Sequence, residues 1–382
     1  MRSKYLVLIL ILLLALPVLA QDGMPPMPEL TGDIIMDGLN GPQGLYLDTD
    51  GTLYVIDSGL GGEDIIPFID PMTMEVIDAP FGFSSRILTM QMDSEPEVIA
   101  MLPSVAGGED VLGGARVAIM DGTLYATVGS WQGNLGKDVS LDNFAAVVSV
   151  DENGELTDIG DFWTYELENN PDNTDNLESH PFGIIAGSDG LLYIADAASN
   201  ALITLDPATG EMATAAVFEA LPGVFPNPMR GGEMLTDPVP TAVVIDADGN
   251  TFVSLLSGAP FVPGSAKVVQ VADDGAVSDF ATGLTMLIDL KAAPDGNLYA
   301  VSFGMFSEEG PVFNSGSVIR ILPDGSTETI ISGLPFATAI AIDDAGNGYV
   351  AINGVPIPEA GMVVYYEGLT NMEALPEESM GG

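Results

Sequence analysis

The chain has no cysteine and a single histidine, His180. The first absence removes disulfides, thiolate metal sites, cysteine nucleophiles and a lipid-bearing cysteine together, so packing alone must hold the fold. The second makes any serine–histidine–aspartate triad depend on His180, for which a loop residue packed beneath Pro181 and Phe182 is the simpler reading. Basic residues are scarce as well, 9 against 55 acidic ones, for a formal net charge of −46. Such a surface repels nucleic acid and anionic lipid, and no basic patch interrupts it. No Gly-rich phosphate cradle opens a helix, and almost nothing reads as helix. Long apolar runs are missing too, with one exception.

That exception is the opening "MRSKYLVLILILLLALPVLAQ", in which Arg2 and Lys4 precede an unbroken apolar stretch ending in Val18-Leu19-Ala20. It reads as a secretory signal peptide over 1–20, cut after Ala20. A retained anchor is the alternative, but the apolar stretch is short for a span. The chain is therefore expected outside the cell or in the periplasm, with no stable membrane insertion after cleavage. Only 17% of residues are charged and 47% are apolar, which excludes a disordered acidic protein.

What the chain has is a phrase written six times: "TDGTLYVIDSG" (49–59), "MDGTLYATVGS" (120–130), "SDGLLYIADAA" (188–198), "ADGNTFVSLLS" (247–257), "PDGNLYAVSFG" (294–304) and "DAGNGYVAING" (344–354). Each follows a short apolar strand, and Asp-Gly between two apolar runs is a strong hairpin signal, because glycine accepts the positive φ of a tight turn. The central glycines 51, 122, 190, 249, 296 and 346 are too irregularly spaced for a solenoid. Third strands follow at 85–90, 146–150, 201–206, 267–272, 317–322 and 362–367, and fourth strands at 97–102, 155–160, 213–218, 276–281 and 327–332. Four antiparallel strands repeated radially make a propeller blade. The expectation is an all-β, six-bladed β-propeller over 21–370, with an acidic flexible tail over 371–382. The sixth unit lacks a fourth strand, and "GDIIMDGL" (32–39) reads like "ETIISGL" (328–334), so an N-terminal strand is expected to close the ring and protect its edge.

In a propeller the first-to-second and third-to-fourth turns open on one face, and all of these are tight here, including "DENGE", "DPATGE", "ADDGA" and "LPDGS". The long connections (59–83, 131–144, 162–181, 221–240, 258–264, 305–315 and 354–361) all belong to the other face. Long loops in a compact domain are usually functional. That face is expected to form a funnel over the ring axis, walled by Trp131, the 162–181 and 221–240 connections, Phe261 and Phe306. Asp289 and Gln43, at the starts of first strands, are expected near its floor, and His180 on the same face. Arg230 either selects a carboxylate or makes a structural ion pair.

Several stretches of these loops and strands carry a resemblance. "ENNPDN…ESHPFGI", "LYIADAASNALITLD", "VPTAVVIDADGNTFVSLLSGAPFVPGSAKVVQV" and "MLIDLKAAPDGNLYAVS" resemble the ScyD/ScyE family, secreted NHL/SMP-30-like propeller proteins named after members encoded beside scytonemin-pigment genes. The resemblance runs from about residue 35 to 370 and implies a propeller and export, with no activity to carry over. His180 stands where members have Asn, which argues against a fixed catalytic role for it.

Two chemistries remain to weigh. A divalent-metal-dependent lactonase of the SMP-30 type needs oxygen or amide ligands at several first-strand starts around the axis. Here those stretches begin "GPQGL", "GGARV", "HPFGI", "VPTAV", "LIDLK" and "FATAI", and offer only Asp289 and, less well, Gln43. Calcium is a separate possibility, because "DNTDNLE" (172–178) alternates oxygen-bearing side chains, with Asp172, Asp175 and Glu178 as weak candidates. It lacks the spacing and glycine of an EF-hand loop, and such loops are usually solvated turns. The expected function is thus a secreted, non-catalytic binding or scaffold propeller without a required cofactor, monomeric, holding a small molecule, glycan or protein on the long-loop face. The alternative is the metal-dependent hydrolase.

Overall fold

At the six repeated turns the central glycines adopt φ from +78° to +87°, the region that glycine enters without cost. The acidic residues that open the turns do local work. The Oδ1 of Asp246 accepts the backbone N–H groups of Asp248 and Asn250, and Asp343 does the same for Ala345 and Asn347. These Asx turns tighten the hairpins with bonds internal to the turn. The computed structural model describes residues 27–69, 75–107, 110–129, 141–227, 230–307 and 310–376. The leader at 1–20, Trp131 and the tail from 377 lie outside them.

The chain is all-β and antiparallel, with six sheets of four or more strands and two two-stranded ribbons among the described residues. The first strands pack side by side in cyclic order. Pro42–Leu47 lies against Gly114–Met120, then come Pro181–Ala186, Pro240–Ile245, Leu287–Ala292 and Ala339–Ile342, which returns to Pro42–Leu47. Glycine permits this approach: a Cβ on Gly44 would lie 2.3 Å from the Ala115 carbonyl oxygen, and one on Gly183 2.7 Å from that of Thr241.

Because each sheet is covered on both sides by its neighbours, the inner strands are largely apolar; Gly348–Ile352 is buried at every position. The core accordingly divides into slabs between adjacent sheets. One joins Ile56, Ile87 and Leu102 to Val117, Val128 and Val148. Another joins Val301 and Val318 to Ile340, Val350 and Val364. The fourth strands face solvent, as the exposed positions of Leu156–Asp161 show.

The N-terminal strand Asp33–Leu39 pairs antiparallel with Gly361–Tyr366, placing Asp33 opposite Tyr365 and Leu39 opposite Gly361. It supplies the fourth strand of the sheet formed by Ala339–Ile342, Gly348–Ile352 and Gly361–Tyr366, and its Met36 and Leu39 enter the slab shared with Leu45 and Val55. An otherwise open edge is thereby covered.

Two features differ from the sequence reading. The third strand of the first sheet is not the six-residue piece 85–90 but runs Val76–Met90, because Asp64–Ile69 pairs with its N-terminal half and extends the sheet beyond the ring. The 162–181 connection begins with a helix, Phe162–Asn169, capped by Asp161, whose side chain accepts the Thr164 N–H, and ended by Asn170 in the left-handed region. Phe162, Trp163 and Glu166 are its buried residues.

Candidate functional site

The first strands converge on one side chain, Arg116, which is 3% exposed. Its Nη2 donates to the carbonyls of Ile288 at 2.9 Å and Thr338 at 3.0 Å, and its Nη1 to those of Ala115 at 3.1 Å and of Gln43. The Phe182 ring centroid lies 4.6 Å from the guanidinium carbon, and Nε faces the Asp289 Oδ1 at 3.6 Å. These partners come from strands or strand starts in five of the six large sheets, so the guanidinium sits on the ring axis. Strand starts aim carbonyls inward where no ladder partner exists, and a planar fork with five donors is suited to satisfy them.

Asp289 is fully buried, accepts the Ile340 N–H at 2.9 Å, and has a second cation, Lys291 Nζ, at 3.8 Å. Burial lowers the affinity of both cations for their protons, Asp289 opposes that, and Arg116 adds to it at Lys291. The axial end toward the long connections therefore holds one acid between two cations. Gln43 belongs to the same set, since its side-chain amide donates to the Gly354 carbonyl at 2.7 Å while its own carbonyl receives Arg116.

The other sequence-nominated residues make no direct contact with Arg116 or Asp289 among the described interactions. His180 is 8% exposed, stacks on Phe182 at 5.6 Å, and would meet a Cβ on Gly129 at 2.6 Å from its Cε1. Its backbone N–H donates to Asp196, and desolvation pushes its pKa down to about 3. The ring is packed against Phe182 and Gly129, and its low proton affinity makes it a weak base. Phe261 and Phe306 come together, centroids 5.3 Å apart, from two different connections. Phe303 and Phe313 flank Phe336 at 5.3 and 5.5 Å from neighbouring connections on the same face. Two aromatic clusters thus gather on these connections, one of them around the buried Phe336.

Arg230 pairs with Asp237, its Nε donating at 2.8 Å, and stands 3.7 Å from Asp172. It lines a pocket with Asp172, Thr174, Asn176, Glu178 and Asp237, built by the 162–181 and 221–240 connections. Of the three residues nominated for calcium, Asp172 and Glu178 face this pocket, whereas Asp175 is exposed and Thr174 and Asn176 take the inward positions. No three of the described acids and histidines are gathered to chelate a metal by themselves.

Three functional-looking residues escaped the sequence reading: Arg116, Lys291 and Glu166. Oxygen ligands were the signal sought at first-strand starts, and the arginine in "GGARV" carries none. Glu166 is 1% exposed, neither carboxyl oxygen completes a hydrogen bond, and burial together with Asp196 and Asp172 pushes its pKa up to about 8.

No family model matches the chain, and no curated protein matches it in sequence. Solved structures do resemble it in shape. A putative oxidoreductase (glucose dehydrogenase) from Thermus thermophilus aligns over 88% of this chain and 99% of its own, at 16% identity and a TM-score of 0.52. A putative gluconolactonase aligns over 92% and 96%, at 11% identity and a TM-score of 0.50. A protein of unknown function from Bacteroides thetaiotaomicron aligns over 88% and 73%, at 12% identity and a TM-score of 0.51. At these identities the likeness is one of fold, the β-propeller.

Proposed function

We propose that this chain is an exported, non-catalytic binding propeller of six blades, with its ligand held on the long-loop face. The cyclic order of the six first strands supports the blade count, and the two ribbons are then insertions in the connections. The leader sequence supports export, and the resemblance to ScyD/ScyE proteins implies a propeller and export as well. The observation that carries the binding reading is the state of Asp289. The acid best placed for axial chemistry is committed to Arg116, Lys291 and the Ile340 amide, and the guanidinium fills the space beside it. The aromatic side chains gathered on the long connections, Phe261 with Phe306, and Phe303 and Phe313 with Phe336, support a small or extended organic ligand rather than a reacting one.

The putative gluconolactonase shares the ring, so lactone hydrolysis is the activity to test against. A thermal-shift screen against lactones, glycans and aromatic metabolites should find a stabilising ligand. Phe261→Ala and Phe306→Ala should weaken it about tenfold, while Asn153→Ala, in a turn of the opposite face, leaves it unchanged. Lactone turnover that disappears in Asp289→Ala would overturn the non-catalytic reading. Ligand loss on turn substitution with none at the phenylalanines would overturn the choice of face.

A further inference from the structure

The six outer strands share one irregularity. Each carries an extra residue in a bulge against the third strand of its sheet: Ile99, Ile159, Ala215, Phe280, Ile330 and, in the N-terminal strand, Ile35. A bulged residue is left out of the ladder, so its backbone needs cover from elsewhere. Four of the six are covered by a glycine in the third-to-fourth turn of the next sheet. A Cβ on Gly275 would lie 2.6 Å from the Ala215 carbonyl oxygen and one on Gly210 3.4 Å from that of Ile159, while Gly154 and Gly325 press still closer on Ile99 and Phe280. The strand that carries Ile330 is covered by the C-terminal segment. There the Leu375 N–H donates to the Thr329 carbonyl at 2.8 Å, and Arg320 holds the carbonyls of Thr370 and Met372 at 3.1 and 3.2 Å. The sixth junction, where the ring closes, differs. Its turn, 91–96, contains no glycine and puts Asp93 in the left-handed region, at φ 65°. A cavity of about 200 Å³ opens between that turn and the N-terminal strand, lined by Ile34, Ile35, Met36, Asp37, Glu95 and Pro96. Ile34 is 48% exposed, and Asp37 and Glu95 are exposed as well.

We propose that this closing seam is a docking site for another protein, and that its occupant is a glycine-bearing turn flanked by lysine or arginine. The four glycine-sealed junctions show what shape covers a bulge of this kind: a turn tip with no side chain at the point of contact. The cavity is smaller than the roughly 300–1,000 Å³ of small-molecule sites, which suits a turn tip better than a free ligand. Its two charged walls, Asp37 and Glu95, set the sign of the partner. A second copy of this chain offers the shape without the charge. Its own glycine turns, "DENGE", "DPATGE", "ADDGA" and "LPDGS", are acidic, and two chains of net charge −46 repel each other. The seam lies at the third-to-fourth turns, on the face opposite the long connections, so it is independent of the ligand proposed there.

The probe is a labelled synthetic peptide of the 149–157 sequence carrying Glu152→Lys and Glu155→Lys, which keeps the glycine turn and reverses its flanking charges. It is titrated with the full chain and followed by fluorescence anisotropy. One saturable site is expected. Binding should weaken at least about tenfold when the protein carries Asp37→Lys with Glu95→Lys, because like charges then meet. It should be unchanged by Asp248→Lys, which alters the charge of the same face away from the seam. Adding Gly154→Ala to the peptide should also weaken binding about tenfold, since a Cβ at that position has no room against a bulged strand. Should the seam variants fail to fold, this peptide change decides with the wild-type protein: equal binding with and without the glycine overturns the proposal. Absence of a saturable site overturns it, as does an equal loss in Asp248→Lys, which would mean charge attraction without a site. Sedimentation of the chain alone should show a monomer; a dimer lost in Ile34→Asp would give the seam to a second copy and overturn the choice of partner.

Discussion

Two arginine–aspartate centres in this molecule have opposite charge balance. At the axis, Arg116 and Lys291 share Asp289. In the second pocket, Arg230 alone faces Asp172, Glu178 and Asp237, with the buried Glu166 in the field of Asp172 and Glu178. The difference follows from what surrounds each. Axial acceptors are backbone carbonyls, neutral and fixed by the strands that carry them, so the guanidinium is satisfied without a matching number of acids. The acceptors of Arg230 are charged side chains on loops, Asp172 and Asp237. The first centre reads as a structural hub, and the second holds more acid than its one arginine balances.

The largest effect should come from breaking the hub. Arg116→Met leaves the carbonyls of Gln43, Ala115, Ile288 and Thr338 without that donor and leaves Asp289 buried beside only a distant lysine. Removing one partner of a buried pair costs on the order of 3–5 kcal/mol. Urea denaturation should show that loss. Adding Asp289→Asn, which keeps an oxygen for the Ile340 amide, should recover part of it, because the uncompensated charge is gone. Equal stability of wild type and Arg116→Met would show that the hub is incidental.

A smaller effect separates the centres by pH. Glu166 has a folded pKa of about 8, above its ordinary value of 4.5. Between those values the unfolded chain releases its proton while the folded one keeps it, so stability falls as pH rises, by about 1.4 kcal/mol per unit from this group. His180 runs the other way. Its folded pKa of about 3 lies below 6.5. Between those values the unfolded chain holds the extra proton, so stability is lost as pH falls. Denaturation of Glu166→Gln should therefore show a flatter decline from pH 5 to 8 than wild type, and His180→Asn a flatter decline below pH 6.5. A Glu166→Gln curve parallel to wild type from pH 5 to 8 would mean that the carboxyl group is already ionised in the fold.

The hairpins were legible because their cause is local: a glycine that must enter positive φ, an aspartate that caps the turn, and apolar runs on either side. Asp289 was legible as an acid at a strand start. Arg116 was not, because its partners lie as far as 222 residues away, and nothing near "GARV" reports them. The helix Phe162–Asn169 was missed for a different reason. It is eight residues long and holds Trp, Thr, Tyr and Asn, which favour helix weakly, so only its caps Asp161 and Asn170 announce it. Its neighbours then bury Glu166, a charge whose burial no local pattern could suggest.

The smallest expected effect tests whether the axial pair is one unit or two. Lys291 reaches the same Asp289 oxygen that faces Arg116, at 3.8 Å against 3.6 Å, yet its side chain is 28% exposed and Arg116's only 3%. Water can solvate an ammonium group at that exposure, and a screened pair of this kind contributes about 0–1 kcal/mol. Lys291 also stands in the field of Arg116, which offsets part of its attraction to the aspartate. Lys291→Met should therefore shift the urea midpoint slightly, in either direction, while Arg116→Met shifts it strongly. A double variant carrying both changes should lose more than the sum of the two, since Asp289 then keeps no cation at all. Simple additivity would show that Lys291 does nothing for Asp289 even when the guanidinium is gone, leaving Arg116 as its only effective counter-ion.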